Sequence, residues 1–138
     1  MCAMARRYSS IGLFGIFGRS SDLRQVDQAL RSVDVHPRLV PEAVKLTIIS
    51  LLKERATGGE AAPHAYRAAA EIIGYCMVGA EAFAAAIDAQ LALDVERRIE
   101  LALIAGTNLD AQLVLLTLHA GVCQPSVIER FQLESAAT

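Results

Sequence analysis

A histidine and a cysteine near the C-terminus come closest to a reactive or metal-binding motif. His119 and Cys123 are four positions apart, the spacing at which two ligands share one face of an unbroken helix. Gly121 lies between them and Pro125 follows closely, so the helix is expected to end near this point. A zinc site needs three or four ligands. The pair is therefore a weak metal candidate, and the simpler interpretation is a histidine at a helix C-terminus, where a cation favours the helix dipole.

Completing such a site requires ligands from elsewhere in the fold, and the candidates are Cys76, His64 and Glu71. Cys76 could also act as a nucleophile, but only with a base beside it in space. Its surroundings in the stretch GYCMVG are more typical of a small buried apolar residue. One hypothesis is therefore a small enzyme, or a ligand- or metal-binding bundle, with a pocket near His119, Cys123 and Cys76. No catalytic residue and no cofactor is predicted.

A polar stripe runs along the otherwise apolar segment of residues 63–78. His64, Arg67 and Glu71 follow one another at i, i+3 and i+7, which places them on one face of a helix. The stripe could bind an anion or support acid–base chemistry. The favoured interpretation is a solvated face in which Arg67 and Glu71 form an i, i+4 ion pair of small energetic weight. A second charged cluster, interpreted as a solvated edge or an inter-subunit contact, comprises Glu96, Arg97, Arg98 and Glu100.

The N-terminal stretch IGLFGIFGRSS is apolar and rich in glycine. Residues 11–18 offer only eight uncharged positions, too few for a transmembrane helix of about 20 residues, and no cleavage motif of a signal peptide follows. We expect residues 1–19 to form a flexible apolar and basic segment. Its apolar side chains either lie across an apolar groove of the same domain or a sister chain, or enter a lipid surface weakly, with arginines facing anionic headgroups. The candidate contact residues are Leu13, Phe14, Ile16 and Phe17.

Composition predicts the elements that must carry these residues. The 138 residues are 54% hydrophobic but only 5% aromatic, and apolar content supplied by Ala and Leu favours helices over strands. A chain of this length is expected to form one domain with one core. We therefore predict an all-α fold, a single-domain compact bundle of six or seven helices in which helix pairs could stack as in a short solenoid. The helical domain is expected at residues 20–138.

Capping residues, prolines and apolar spacing place the individual helices. The predicted helices cover about residues 22–33, 41–55, 63–78 and 109–119, followed by a short closing helix around residues 127–131. Residues 80–105 contain neither Gly nor Pro, and a single helix of that length would span about 39 Å. A break is therefore predicted near Asp94, since aspartate favours the N-cap position. The segment 109–119 is apolar on nearly every face and is predicted to be the central helix.

Charge and cysteine content narrow the functional classes. The net charge of −2 provides no basic field for phosphate backbones, so nucleic-acid binding is not expected. Three cysteines without a CxxC pair do not form a disulfide framework, and we expect a reducing compartment, the cytoplasm.

The alanine-rich stretch of residues 65–92 is the strongest indication of function. Its small side chains allow helices to approach closely, and the mean hydropathy of +0.37 is high for a monomer of this size. We therefore favour a homodimer that shares an apolar helix face. The leading hypothesis is a small helical protein-interaction or assembly module that self-associates and has no catalytic centre, with the N-terminal segment contacting a partner. The alternatives are the pocket-bearing bundle described above and weak membrane-surface attachment through residues 6–19.

Overall fold

A computed structural model describes residues 20–56 and 59–133 of the chain. Within these ranges the residues form α-helices and short 3₁₀ segments, with no strand, and the predicted all-α class is confirmed. The elements are α1 (residues 20–32), the 3₁₀ turn Pro37–Leu39, α2 (Glu42–Arg55), α3 (Pro63–Val78), α4 (Ala80–Ala86), α5 (Ala89–Ala105), α6 (Leu109–His119) and α7 (Pro125–Arg130).

The predicted N-terminal segment lies outside the described residues. Its division from a helical domain at residues 20–138 therefore stays a prediction, and so do its proposed contacts. The same holds for its candidate contact residues, Leu13, Phe14, Ile16 and Phe17.

Prolines and capping residues set several helix ends. Pro63 and Pro125 occupy the first turns of α3 and α7, where a missing N–H removes no helical hydrogen bond. Asn108 caps α6, since its Oδ1 accepts a hydrogen bond from the backbone N–H of Ala111 at 2.8 Å. Gly106 ends α5 in the left-handed conformation, with φ of 77°, which glycine adopts without steric cost. The local sequence thus specifies these ends without help from the rest of the fold.

Helix α3 lies at the centre of the described bundle. It contacts α2, α4, α5 and α6, and its small side chains allow several helices to pack against it. Helix α6, predicted to be central, packs against α2, α3 and α5 but leaves Leu115 39% exposed. It therefore contributes to the core on one side, with Leu113 and Val114 fully buried, and is exposed on the other. The buried residues of α3 are Tyr66, Ala69, Ala70, Ile72, Ile73, Gly74, Tyr75 and Cys76.

Gly74 allows the segment after α1 to lie directly on the backbone of α3. A β-carbon at this position would lie 3.0 Å from Cγ2 of Val33 and 3.4 Å from Cγ2 of Val35. Both valines are buried, so they have little free space into which to move. The close approach of the two segments therefore depends on the absence of a side chain at Gly74.

The predicted break near Asp94 is wrong, because the helix is interrupted at Ile87 and Asp88, between α4 and α5. Helix α5 begins after Asp88, whose Oδ2 accepts a hydrogen bond from the backbone N–H of Leu91 at 3.0 Å. Asp94 lies inside α5, where its carboxylate accepts a hydrogen bond from the side chain of Gln90 at 3.1 Å. Both aspartates are exposed, so local capping preference does not distinguish them.

Burial of Phe83 explains why the earlier position is used. Phe83 is fully buried, and its ring meets that of Tyr75 edge-on with centroids 5.8 Å apart. Gly79, with φ of 91°, turns the chain so that α4 folds back against the end of α3. Holding this aromatic pair in the core fixes the direction of α4, and the chain must turn again before it can form the long helix α5.

No single helix in the described ranges is both long enough and apolar enough to cross a membrane. Helices α5 and α6 meet the length and composition criteria only when they are taken together, and their axes meet at 95°.

Candidate functional site

Helix α5 exposes apolar side chains on the face that points away from the core. Its residues Ala92, Val95, Ile99 and Ala102 are buried, whereas Leu93 is 58% exposed and Ile104 is 83% exposed. Positions 93, 97, 100 and 104 follow a 4–3–4 spacing, which aligns their side chains along one side of a helix. We call these four residues, Leu93, Arg97, Glu100 and Ile104, the α5 outer stripe.

Exposed leucines flank the stripe. Leu101 is 57% exposed and Leu103 is 39% exposed, so α5 carries four of the six large hydrophobic side chains that are exposed among the described residues. Single exposed hydrophobic residues are ordinary, but a concentration of them on one helix is typical of an interaction surface. Arg97 and Glu100 are also exposed, and neither belongs to an ion pair within the described ranges.

Arg98, next to the stripe in sequence, points into the bundle and joins three helices. Its Nε and Nη2 donate hydrogen bonds to the two carboxylate oxygens of Asp110 at 3.2 and 2.9 Å. Its Nη1 donates to Glu71 at 3.1 Å, and Nη2 also donates to the Ala68 carbonyl at 3.1 Å. The Glu71 and Asp110 side chains are only 17% and 23% exposed. The network connects α5 to α3 and α6, and its charged groups are paired with one another.

A second polar connection links α3, α5 and α7. The hydroxyl of Tyr75 donates a hydrogen bond to Oε2 of Glu96 at 2.7 Å, and Arg130 donates to Oε1 of the same carboxylate at 3.1 Å. Burial of the Tyr75 ring, followed by its hydrogen bond to Glu96, raises the pKa of this phenol well above its usual value. Tyr75 therefore stays protonated at neutral pH and acts as a hydrogen-bond donor that fixes the position of α5.

The structure brings Cys76 and Cys123 together, although 47 positions separate them. Cys76 lies near the end of α3 and is 0% exposed, while Cys123 lies between α6 and α7 and is 8% exposed. The backbone N–H of Gln124 donates a hydrogen bond to the Cys76 carbonyl at 2.7 Å. The hydrogen bond between the two thiols lowers the pKa of Cys123 to about 7. The same hydrogen bond, followed by burial, raises the pKa of Cys76 well above its usual value.

The weak metal candidates His119 and Cys123 do not share a helix face. Helix α6 ends at His119, as the intervening glycine and the following proline predicted, and Cys123 lies beyond that end. His119 is exposed, whereas Cys123 is buried. No group of three or more His, Cys, Asp or Glu residues in the described ranges could hold a metal ion.

The predicted polar stripe of α3 divides into two parts. Arg67 and Glu71 form the predicted i, i+4 ion pair, with 3.3 Å between Nε and Oε2. Glu71 is also bound by Arg98, whereas His64 is exposed and lines a separate cleft beside Arg55 and Glu60. The three residues therefore do not form one binding site.

The charged cluster of α5 also divides. Glu96 and Arg98 contact other helices, as described above, while Arg97 and Glu100 belong to the exposed stripe. The sequence did indicate that the Arg98 side chain points inward. Arg98 lies three positions after the apolar Val95 and four before Ala102, which places it on the buried side of α5.

The described chain is thus an all-α helical bundle with charged groups paired inside it and an unpartnered apolar face on α5. Its two notable side-chain arrangements are the α5 outer stripe and the Cys76–Cys123 pair. Comparison of the chain with protein-family models, with curated proteins and with solved structures found no match in any of the three.

Proposed function

We propose that this chain is a helical assembly module that forms an antiparallel homodimer through the α5 outer stripe. The observation that carries the proposal is the order of the stripe: apolar, basic, acidic, apolar. Positions 93 and 104 lie equally far from the midpoint between residues 98 and 99, and so do positions 97 and 100. A twofold axis at that midpoint places Leu93 against Ile104 of the second copy and Arg97 against Glu100 of the second copy, each pair occurring twice.

The apolar ends of the stripe supply most of the binding energy in this arrangement. Burying one leucine or isoleucine side chain contributes about 1.5–3 kcal/mol, and the dimer buries Leu93 and Ile104 from both copies. An exposed ion pair contributes only about 0.2–1 kcal/mol. The two Arg97–Glu100 pairs therefore select the antiparallel direction more than they set the affinity.

A charge-exchange experiment tests the Arg97–Glu100 contacts of the dimer, and the weakening of each single variant relative to the wild type is the part that depends on the antiparallel direction. Arg97→Glu gives a chain with two acidic groups at these positions, and Glu100→Arg gives a chain with two basic groups. Each variant alone is expected to dimerise more weakly than the wild type, because like charges meet across the twofold axis. An equimolar mixture is expected to form a heterodimer, since every contact at the axis is then between opposite charges. Native mass spectrometry distinguishes the two chains by mass, and a mixture with no heterodimer would contradict the antiparallel arrangement.

A substitution at the end of the stripe tests whether α5 is the interface at all. Ile104→Glu is expected to abolish the dimer in analytical ultracentrifugation, because it places a charge in each of the two apolar contacts. Leu39→Glu is the matched control, since Leu39 is an exposed apolar residue, 64% accessible, on the 3₁₀ turn instead of on α5. If the wild type stays monomeric at all concentrations, or if the two variants behave alike, the proposal is wrong.

We also propose that the module works in the cytoplasm. The support is the sequence argument from its few cysteines, which lack the spacing of a disulfide framework. Fractionation of cells that express the full chain with a C-terminal epitope tests this location.

A further inference from the structure

The backbone holds Cys76 and Cys123 at a separation that a disulfide can bridge. The hydrogen bond between the Gln124 N–H and the Cys76 carbonyl is 2.7 Å long, and each of its heavy atoms is two covalent bonds from one of the two cysteine α-carbons. Standard bond lengths then keep the α-carbons within about 7.5 Å of each other. Disulfides form at α-carbon separations of about 4.4–6.8 Å, so a small movement of the loop suffices.

The two thiols differ in their readiness to react. The hydrogen bond from Cys76 lowers the pKa of Cys123 to about 7, so Cys123 ionises more readily than an ordinary cysteine, and the thiolate is the reactive form. Cys76, with its raised pKa, keeps its proton. One member of the pair is therefore a nucleophile, and the other holds a proton that a later step can use.

Access from solvent differs in the same direction. Cys123 lies two residues after the exposed Gly121, in the loop between α6 and α7, and a β-carbon placed at Gly121 would have open space around it. Cys76 is fully enclosed within the core. A small oxidant can reach the pair from the loop side, at Cys123, before it can reach Cys76.

We propose that Cys123 and Cys76 are an oxidisable dithiol that a hydroperoxide converts to an intramolecular disulfide. The Cys123 thiolate attacks one peroxide oxygen, so that an S–O bond forms, the O–O bond breaks and, with hydrogen peroxide, water leaves after taking up a proton. The Cys76 sulfur then attacks the Cys123 sulfenic acid, an S–S bond forms, and the hydroxyl group leaves as water with the Cys76 proton. The dithiol loses two electrons and two protons, and hydrogen peroxide is reduced to two molecules of water.

The disulfide joins the end of α3 to the loop between α6 and α7. It closes a long loop of chain, which restricts the unfolded state more than the folded one. The oxidised protein is therefore expected to unfold at a higher temperature than the reduced protein, and a thiol reductant is expected to reverse the change. This device is independent of the proposed dimer, because both cysteines belong to the same chain.

Mass spectrometry of the full chain tests the proposal. The Cys2→Ser variant is the background, since it removes the third cysteine and leaves the pair intact. Hydrogen peroxide is expected to cause a mass loss of two hydrogens, and a non-reducing peptide map is expected to join the peptides of Cys76 and Cys123. With Cys76→Ala added, peroxide is expected to leave a sulfenic acid at Cys123 that dimedone traps. With Cys123→Ala added, neither product is expected.

Iodoacetamide labelling provides a second readout that does not depend on the disulfide. In the Cys2→Ser background, the pH midpoint for alkylation of Cys123 is expected near 7. With Cys76→Ala added, the midpoint is expected to rise toward about 8.5, the value of an unperturbed cysteine. The proposal is overturned if peroxide oxidises Cys123 beyond the sulfenic acid without forming the Cys76 link, or if the labelling midpoint does not move.

Discussion

Replacing Arg98 by methionine is expected to destabilise the monomer strongly. The substitution keeps a long apolar stem but removes the guanidinium that binds Asp110, Glu71 and the Ala68 carbonyl. Two carboxylates that are only 17% and 23% exposed then lose their shared cation, and Arg67 remains to neutralise one of them. A hydrogen bond to a charged group contributes about 1.5–3 kcal/mol. Since water can reach part of the network, we expect a total loss of about 2–4 kcal/mol, below the sum of the separate bonds.

Thermal unfolding followed by far-UV circular dichroism measures this loss. For a domain of this size a loss of 1 kcal/mol lowers the midpoint by about 4 °C, so Arg98→Met is expected to lower it by roughly 8–16 °C. Arg97→Met is the matched control on the exposed side of α5, with an expected effect below about 0.5 kcal/mol, provided that both are measured at dilutions where no dimer forms. Adding Glu71→Gln and Asp110→Asn to Arg98→Met is expected to restore part of the stability. Equal stability of Arg98→Met and Arg97→Met would refute the role of the network.

Three further predictions concern single side chains. In urea unfolding, Asp88→Ala is expected to lower the free energy of unfolding by about 1 kcal/mol, and Asp94→Ala by less than about 0.5 kcal/mol. A larger loss for Asp94→Ala would mean that α5 does not begin after Asp88. Gly74→Val is expected to lower the free energy of unfolding by about 1–3 kcal/mol, because the new side chain would push against Val33. An unchanged free energy of unfolding in calorimetry would mean that the packing there is loose. Burial and then the charge of Asp22 raise the pKa of Tyr66 to about 12, so the folded state keeps a proton that the unfolded chain loses above about pH 10. The free energy of unfolding is therefore expected to fall as the pH rises from about 10 toward about 12, and to fall less steeply in Tyr66→Phe.

Local signals predicted most of the helices, because their ends depend on residues close in sequence. Pro63, Asn108 and Pro125 each act within one helical turn, and the predicted boundaries near them agree with the structure to within about two residues. Local signals could not predict the position of the break before α5. Asp88 and Asp94 offer the same capping chemistry, and the choice between them depends on the contact of Phe83 with Tyr75, which only the folded chain creates.

The candidate site was predictable only in part, for the same reason. The ion pair of Arg67 and Glu71 lies within one helix, and its spacing predicted it. The cysteine pair and the contacts of Arg98 join residues from different helices, so no spacing rule reveals them. Charge alone also does not distinguish the roles of Arg97 and Arg98, because the two residues are adjacent and identical in type. Only their positions relative to the buried apolar side of α5 show that Arg97 is exposed and that Arg98 contacts other helices.

The N-terminal segment gives the dimer proposal its last test. Helix α5 is about 25 Å long and offers a face about 10 Å wide, close to 250 Å², whereas a stable dimer buries about 800 Å² on each partner. The stripe alone is therefore expected to give a weak dimer, and the predicted contact residues would enlarge the interface. Replacing all four by serine in the full chain is expected to weaken dimerisation at least about tenfold in analytical ultracentrifugation. An unchanged affinity would remove the segment from the interface while leaving the Ile104→Glu result to decide the role of α5. The residues to replace are Leu13, Phe14, Ile16 and Phe17.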